Sequence, residues 1–201
     1  MDYPNTLPPA VARCCRTLRQ AGFEAYPVGG CVRDLLLART PQDWDICTSA
    51  LPPQVQSLFP HTVPTGIDYG TVTVLLDGQG LEVTTFRCEG GYRDGRRPDA
   101  VSFVSSLTDD LSRRDFTVNA MALAPDGAVI DPFGGQADLE SRVIRCVGDP
   151  MQRFQEDRLR MFRAIRFAAQ LNFTLDPELV HALEELGPQP HHLPAERIRP
   201  E

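Results

Sequence analysis

Apolar and polar positions along the chain alternate between two periods. Residues 8–22 place Val11, Cys15 and Leu18 on one face at helical spacing, with Gly22 as a C-terminal cap. A short β-rich run follows at residues 25–28. The Gly29-Gly30 turn then opens a predicted helix over residues 31–37, and residues 44–47 read as a strand. Pro52 opens a helix over residues 52–59. Residues 70–76 and 81–87 are β-branched runs around Asp77-Gly78-Gln79-Gly80, which predicts a β-hairpin. Residues 88–99 are rich in Gly and Arg and read as a mobile loop. A helix is predicted over residues 113–123 and a strand over residues 128–131, after the Pro125-Asp126-Gly127 turn.

The pattern changes after Phe133-Gly134-Gly135. Period-2 runs disappear, apart from a short candidate strand at residues 143–147. One long amphipathic helix is predicted over residues 153–171 and another over residues 176–186, with Asp176 as N-cap and Pro177 in the first helical position. The expected class is therefore α+β. A head of residues 1–139 holds a small mixed sheet flanked by helices, and an all-helical neck occupies residues 140–201. No internal repeat is visible.

Composition narrows the classes. With 42% hydrophobic and 23% charged residues in 201, the chain has enough apolar material for a buried core. No run approaches the roughly 20 apolar residues that span a bilayer, and the start lacks the pattern of a signal peptide. A cytoplasmic location is the resulting expectation. The net charge of −7 argues against a general nucleic-acid-binding surface, so any RNA grip must be local. All 20 cationic residues are Arg, whose planar fork binds phosphate in bidentate fashion. The six Cys show no CxxC spacing and no paired His, which predicts buried free thiols rather than zinc or disulfides.

Candidate chemistry begins at Asp43-Trp44-Asp45. On a strand the two acids face one side and Trp44 the other. Two adjacent carboxylates repel, and a bridging cation relieves them; hard oxygen donors suit Mg²⁺. Alone, such a pair reads as solvated turn aspartates. Upstream, however, Gly29-Gly30 at a helix start leaves backbone N–H groups open to phosphate, with Arg33 one turn in. An anion cradle and a divalent site about a dozen residues apart are what a metal–nucleoside triphosphate needs. Glu82, inside a β run, reads equally as a third metal-site or general-base carboxylate and as the ion-pair partner of Arg87. Farther on, Arg113-Arg114-Asp115 places opposite charges side by side. Asp157 and Arg160, three apart on the predicted long helix, combine an acceptor with a multi-donor fork. A surface pair is the plainer reading of those two. Glu156 is placed to hold Arg160, and Arg163 and Arg166 continue a basic stripe able to touch phosphates.

Taken in order, these blocks resemble the class II tRNA nucleotidyltransferases (CCA-adding enzymes) and bacterial poly(A) polymerases, in the DNA polymerase β nucleotidyltransferase superfamily. Gly29-Gly30 through Asp43-Trp44-Asp45 matches the metal motif. Arg113-Arg114-Asp115-Phe116-Thr117-Val118-Asn119-Ala120 is similar to the ribose-binding motif, which implies that Arg114, Asp115 and Asn119 face the sugar. Asp131-Pro132-Phe133-Gly134-Gly135 with Asp138, Leu139 and Arg145 resembles the head–neck joint. Glu156-Asp157-Arg158-Leu159-Arg160 resembles the nucleobase-reading motif, and residues 88–99 the flexible loop.

The resemblance implies attack of a tRNA 3′-hydroxyl on the α-phosphate of CTP or ATP, with two Mg²⁺ ions at Asp43 and Asp45. Asp157 and Arg160 would supply the pairing edge, so no nucleic-acid template is needed. Cytosine and adenine both present an exocyclic amine beside a ring-nitrogen acceptor, which suits that pair and rejects U and G. Gly29, Gly30, Arg33, Arg163 and Arg166 complete the expected nucleotide contacts. The loop argues against an enzyme that adds only CC. Poly(A) polymerase or a dedicated A-adding enzyme stays open, although Tyr69-Gly70-Thr71-Val72-Thr73-Val74 looks more like the CCA-adding branch. From another class, a truncated, non-catalytic nucleotide-binding module is the alternative, because body and tail domains would be expected after residue 201.

Overall fold

The computed structural model describes residues 7–90, 100–188 and 193–199. Its elements in chain order are α1 (Pro9–Gln20), β1 (Ala25–Val28), α2 (Gly30–Leu36), β2 (Asp45–Thr48), α3 (Pro52–Leu58), β3 (Thr62–Gly66), β4 (Thr71–Leu76), β5 (Gln79–Thr85), β6 (Arg87–Gly90), β7 (Ala100–Phe103), α4 (Leu107–Ser112), β8 (Ala122–Leu123), β9 (Val129–Ile130), α5 (Gly135–Ser141), β10 (Val143–Ile144), α6 (Pro150–Glu156), α7 (Leu159–Leu171), β11 (Thr174–Leu175), α8 (Pro177–Leu186) and α9 (Ala195–Ile198). The α+β class expected from the pattern is therefore observed.

A seven-stranded mixed sheet, ordered β3-β4-β5-β2-β1-β8-β9, carries the molecule. The β2–β5 pair is parallel and β1–β2 is antiparallel. Both faces are covered. Val11, Cys15 and Leu18 of α1 pack against Ile46, Val72, Val74 and Val83 on one face. Cys47, Val28, Phe86, Leu111 and Ala122 form a second cluster. Adjacent residues Ile46 and Cys47 thus serve opposite clusters, as strand alternation requires. The β4–β5 hairpin turns through Asp77-Gly78, with φ of 52° and 76°. Two positive φ values define the tight turn whose twist matches the strands, so the turn is two residues long rather than the four expected.

The large cluster continues through Leu139, Ile144, Phe154, Ala164, Leu179 and Leu186. One core therefore spans both sides of residue 139, and the position 139/140 lies within α5. A close approach fixes this joint: a Cβ on Gly135 would sit 2.3 Å from the Thr117 carbonyl oxygen. Asp131 caps the same helix by accepting the N–H groups of Gly135 and Gln136. Asp138 accepts from Thr117 Oγ1 at 2.6 Å and pairs with Arg145, which also reaches Asp176 at 2.5 Å.

Four expectations are corrected. No continuous helix covers residues 113–123: α4 ends at Ser112, a 3-10 turn covers Thr117–Asn119, and β8 follows. All residues from 115 to 123 are buried. This segment threads the core, with Thr117 N–H and Val147 N–H bonding across to Arg145 and Asp115 carbonyls, whereas a surface helix keeps an exposed face. The helix predicted over residues 153–171 is two helices, α6 and α7, broken at Asp157, whose φ and ψ of −144° and 108° are extended. The Asp157 carboxylate bonds the Leu159 N–H at 3.0 Å, the local side-chain competition that makes Asp a poor interior helix residue. The first three residues of the expected loop, 88–90, belong to strand β6, which pairs antiparallel with β7 just beyond the loop; residues 91–99 lie outside the described residues. The neck is not wholly helical: the short strand anticipated within residues 143–147 is present as β10, and it pairs in parallel with β11, which was not anticipated.

Candidate active site

The sheet register builds the acidic centre. Asp45 is the first residue of β2, opposite Val28 at the end of β1 and beside Glu82 on β5. Asp43 precedes β2 rather than sharing the strand, so strand alternation does not place it. The chain nevertheless returns its carboxylate beside Asp45, and both acids border the same two cavities. Trp44 is partly buried against the core and also borders the second cavity. Asp45 itself is exposed at the cleft, while the rest of β2 is buried. Desolvation, reinforced by Asp43 and opposed by Arg114, raises its carboxyl above the usual range. Desolvation and the neighbouring Asp45 and Asp43 likewise raise Glu82. The β2–β5 register, with Glu82 beside Asp45, and the cavity they share with Asp43 place Glu82 with the acids. Arg87, its other candidate partner, donates to the Tyr69 carbonyl.

The phosphate cradle forms where β1 gives way to α2. Gly29 adopts φ of +83°, and a Cβ there would stand 3.0 Å from Arg114 Nη1 and 3.9 Å from Asp45 Oδ2. Glycine is thus required by the left-handed backbone, and a Cβ would in addition crowd the Arg114 guanidinium. Arg33 bonds Asp34 at 2.8 Å and the Asn119 Oδ1 at 2.8 Å. Asn119 in turn donates to Asp115 at 3.3 Å. Burial alone would raise the Asp115 carboxyl, but Arg163, bonded at 2.6 Å, and the Phe116 N–H hold it below the usual range. Arg33, Asn119, Asp115 and Arg163 therefore form one hydrogen-bonded chain along the wall of the cleft.

The third element is the break between α6 and α7. Arg160 is buried and held from three sides: Glu156 at 2.6 Å, the Arg153 carbonyl at 3.3 Å and the Arg113 carbonyl at 3.4 Å. Asp157 and Arg160 border the same cleft, although not through the shared helix face expected. Arg166 is the exception among the anticipated nucleotide contacts. It lies 4.3 Å over the Phe167 ring and bonds Gln170, outside the residues that border the cleft.

Three participants escaped the sequence reading. Asp110 is fully buried and binds both Arg113 at 2.9 Å and Arg114 at 3.3 Å. Its signal was available, since the arginines follow at i+3 and i+4. Phe167 carries Arg33, Arg163 and Arg166 within 5.3 Å of its ring centre, and nothing local in the sequence marks it. Arg87 also borders the cleft. The free cysteines match expectation: five of the six are buried, and burial pushes the Cys31 and Cys146 thiols up to about 12.

Asp43 and Asp45 thus separate two cavities. One, of about 660 Å³, is bordered by Gly29, Gly30 and six arginines: 33, 87, 113, 114, 160 and 163. The other, of about 670 Å³, is bordered by Trp44, Gln79, Leu81 and Glu82 and, among the described residues, by no arginine.

Residues 25–145 match the model of the poly A polymerase head domain. The chain belongs to that family. Its members generally need divalent metals. Among relatives in this family, the chain is 58% identical over 168 residues to a CCA-adding enzyme of Levilactobacillus brevis, covering 84% of this chain and 42% of that protein. It is 53% identical over 184 residues to one of Limosilactobacillus reuteri, covering 92% and 46%. The fold superposes on the Bacillus stearothermophilus CCA-adding enzyme in complex with CTP at a TM-score of 0.87, with 45% identity over 96% of this chain and 47% of that one. A Thermotoga maritima CCA-adding enzyme complexed with tRNA gives a TM-score of 0.74 at 28% identity, covering 98% and 47%. The chain spans about half the length of the relatives it matches. No helix among the described residues is long and apolar enough to cross a membrane.

Proposed function

We propose that this chain is the catalytic part of an enzyme that adds C, C and A to the 3′ end of tRNA from CTP and ATP without a nucleic-acid template. One observation carries the reading: the carboxylates of Asp43 and Asp45 stand between an arginine-lined cavity and an arginine-free one. A triphosphate needs the cationic side, where Gly29, Gly30, Arg33 and Arg114 converge. An uncharged ribose end suits the other, where Trp44 offers a stacking face and Glu82 an acceptor for the 3′-hydroxyl proton. The likeness to CCA-adding enzymes bound to CTP and to tRNA supports the same assignment.

Asp43 and Asp45 would hold two Mg²⁺ ions. Among the described residues no group of three or more metal-ligating side chains converges on one point. The pair still fits, because Mg²⁺ is commonly held by one or two carboxylates together with substrate phosphates. The bound metal supplies a lower pKa for the attacking hydroxyl and charge neutralisation on the triphosphate. The chain's own residues do the rest. The 3′-oxygen forms a bond to the α-phosphorus as the bond to the β-phosphate oxygen breaks, the hydroxyl proton passes to Glu82, and pyrophosphate leaves on the arginine side. Arg114, Asp115 and Asn119 face the ribose. Asp157 accepts from the exocyclic amine of C or A while Arg160 donates to the ring nitrogen. Arg163 acts chiefly by orienting Asp115.

Residues 1–139 and 140–201 are read as catalytic head and base-reading neck, working in the cytoplasm. The test is to supply tRNA lacking its 3′ end, Mg²⁺ and labelled CTP and ATP to the protein with whatever sequence follows residue 201 in its gene. Addition stopping after C, C and A is the expected result. A lengthening run of A, or A added only after a supplied CC end, would replace this reading with one of its two relatives. No incorporation would support a binding module.

A further inference from the structure

The two groups read as selecting the base are held in different ways. Arg160 is fixed by Glu156 one turn back, by the Arg153 carbonyl of α6 and by the Arg113 carbonyl just after α4. Asp157 sits in extended backbone at the break, where no helix fixes it. One of its oxygens accepts the Leu159 N–H at 3.0 Å. The other accepts Arg197 Nη2 at 2.9 Å, from α9, forty residues later. Both side chains of this pair are largely buried, at 18% exposure each. The second nitrogen of the same guanidinium, Nη1, is sealed from solvent with no acceptor among the described residues.

The Arg197–Asp157 bond joins two largely buried side chains, so it holds both in place. It restricts the Asp157 carboxylate to one orientation, which Leu159 alone would leave free to rotate about its single bonds. Each carboxylate oxygen retains a further lone pair after these bonds, so the group stays able to accept from an amine. We infer that Arg197 is a positioning residue for nucleotide choice: it orients the Asp157 acceptor, as Glu156 orients the Arg160 donor. The residues around α9 would then belong functionally to the reading site. This inference rests on the proposed role of Asp157.

The test uses the full-length protein with Arg197→Ala, Arg197→Lys, Asp157→Ala and the Arg197→Ala/Asp157→Ala double variant. Relative kcat/KM for CTP, ATP, UTP and GTP is measured on one tRNA primer, with thermal melting in parallel. In Arg197→Ala, the preference for CTP and ATP over UTP and GTP should fall by about tenfold, the scale of one charge-assisted hydrogen bond. Arg197→Lys should recover part of it, because an ammonium reaches the same oxygen with one donor. In the Asp157→Ala background, Arg197→Ala should cause no further loss of preference. If Arg197→Ala lowers only the melting temperature and leaves the preference intact while Asp157→Ala changes it, the inference fails and the base-reading assignment stands. If Asp157→Ala also leaves preference intact, both fall. Should Arg197→Ala not fold, Arg197→Met, which keeps the apolar stem and removes every donor, decides: a preference that falls in Arg197→Met supports the inference, and an unchanged preference in Arg197→Met overturns it.

Discussion

The two cavities beside Asp43 and Asp45 are similar in size and opposite in chemistry. One gathers six arginines and the other, among the described residues, none. In a chain with a net charge of −7, this concentration gives an acidic protein a locally cationic cleft. The arginines there are also ordered by acids: Asp110 holds Arg113 and Arg114, Asp115 holds Arg163, and Glu156 holds Arg160. The excess of carboxylate over guanidinium is thus partly spent on aiming the cations. Across the divide, burial and the neighbouring Asp43 raise the Asp45 carboxyl, burial and the neighbouring Asp45 and Asp43 raise that of Glu82, and no arginine among the described residues borders this cavity.

The contrast is broken most severely at the dividing carboxylates. Asp43→Ala or Asp45→Ala should lower transfer by on the order of 10³-fold or more, since a metal clamp contributes several kcal/mol. Melting temperature should hold or rise, because one of two repelling charges is removed. Turnover near the parent level at saturating Mg²⁺ would refute the metal assignment. Next comes the arginine side's own support. Asp110→Ala strips a fully buried anion from two arginines and should cost about 3–5 kcal/mol in chemical denaturation; a loss below 1 kcal/mol would mean that water replaces it. Gly135→Ala, which drives a methyl into the Thr117 carbonyl, should cost about 1–3 kcal/mol, read by the same denaturation. Smallest is Arg166→Ala. Its cation–π contact on Phe167 is worth about 0.5–1 kcal/mol, and the KM for CTP should not move, since Arg166 does not border the cleft.

What could be read from the sequence follows from how local each signal is. The Gly29-Gly30 turn, the Asp-Gly hairpin turn and the Asp176-Pro177 helix start each rest on chemistry within a few residues, and the structure bears out all three. The break at Asp157 was hidden because the apolar period runs on through it from α6 into α7. The segment from 115 to 123 misled for a different reason. Its residues are buried on every side, and a fully buried run carries no amphipathic period to separate a helix from a threaded strand. Asp43 and Asp45 were singled out by their nearness in sequence to the Gly29-Gly30 turn and Arg33, and Arg114 and Asp115 by the resemblance of their block to a known motif. Arg197 was not singled out, because its partner Asp157 lies forty residues away; Phe167 was not, because it reads as one more apolar position of α7 although Arg163 and Arg166 are close by in sequence.

The division of labour between the cavities is open to a direct kinetic measurement. Primer and CTP are varied independently for Trp44→Ala, with Trp44→Phe as the packing control, and for Arg33→Ala. Stacking of a base on an aromatic face contributes about 1–3 kcal/mol. Trp44→Ala should therefore raise the KM for primer by about tenfold or more, leaving the KM for CTP within about twofold, and the phenylalanine variant should recover most of the loss. Arg33→Ala should do the reverse. If both alanine variants raise the same KM, the two cavities do not serve different substrates, and the assignment of triphosphate and primer to opposite sides of Asp43 and Asp45 is wrong.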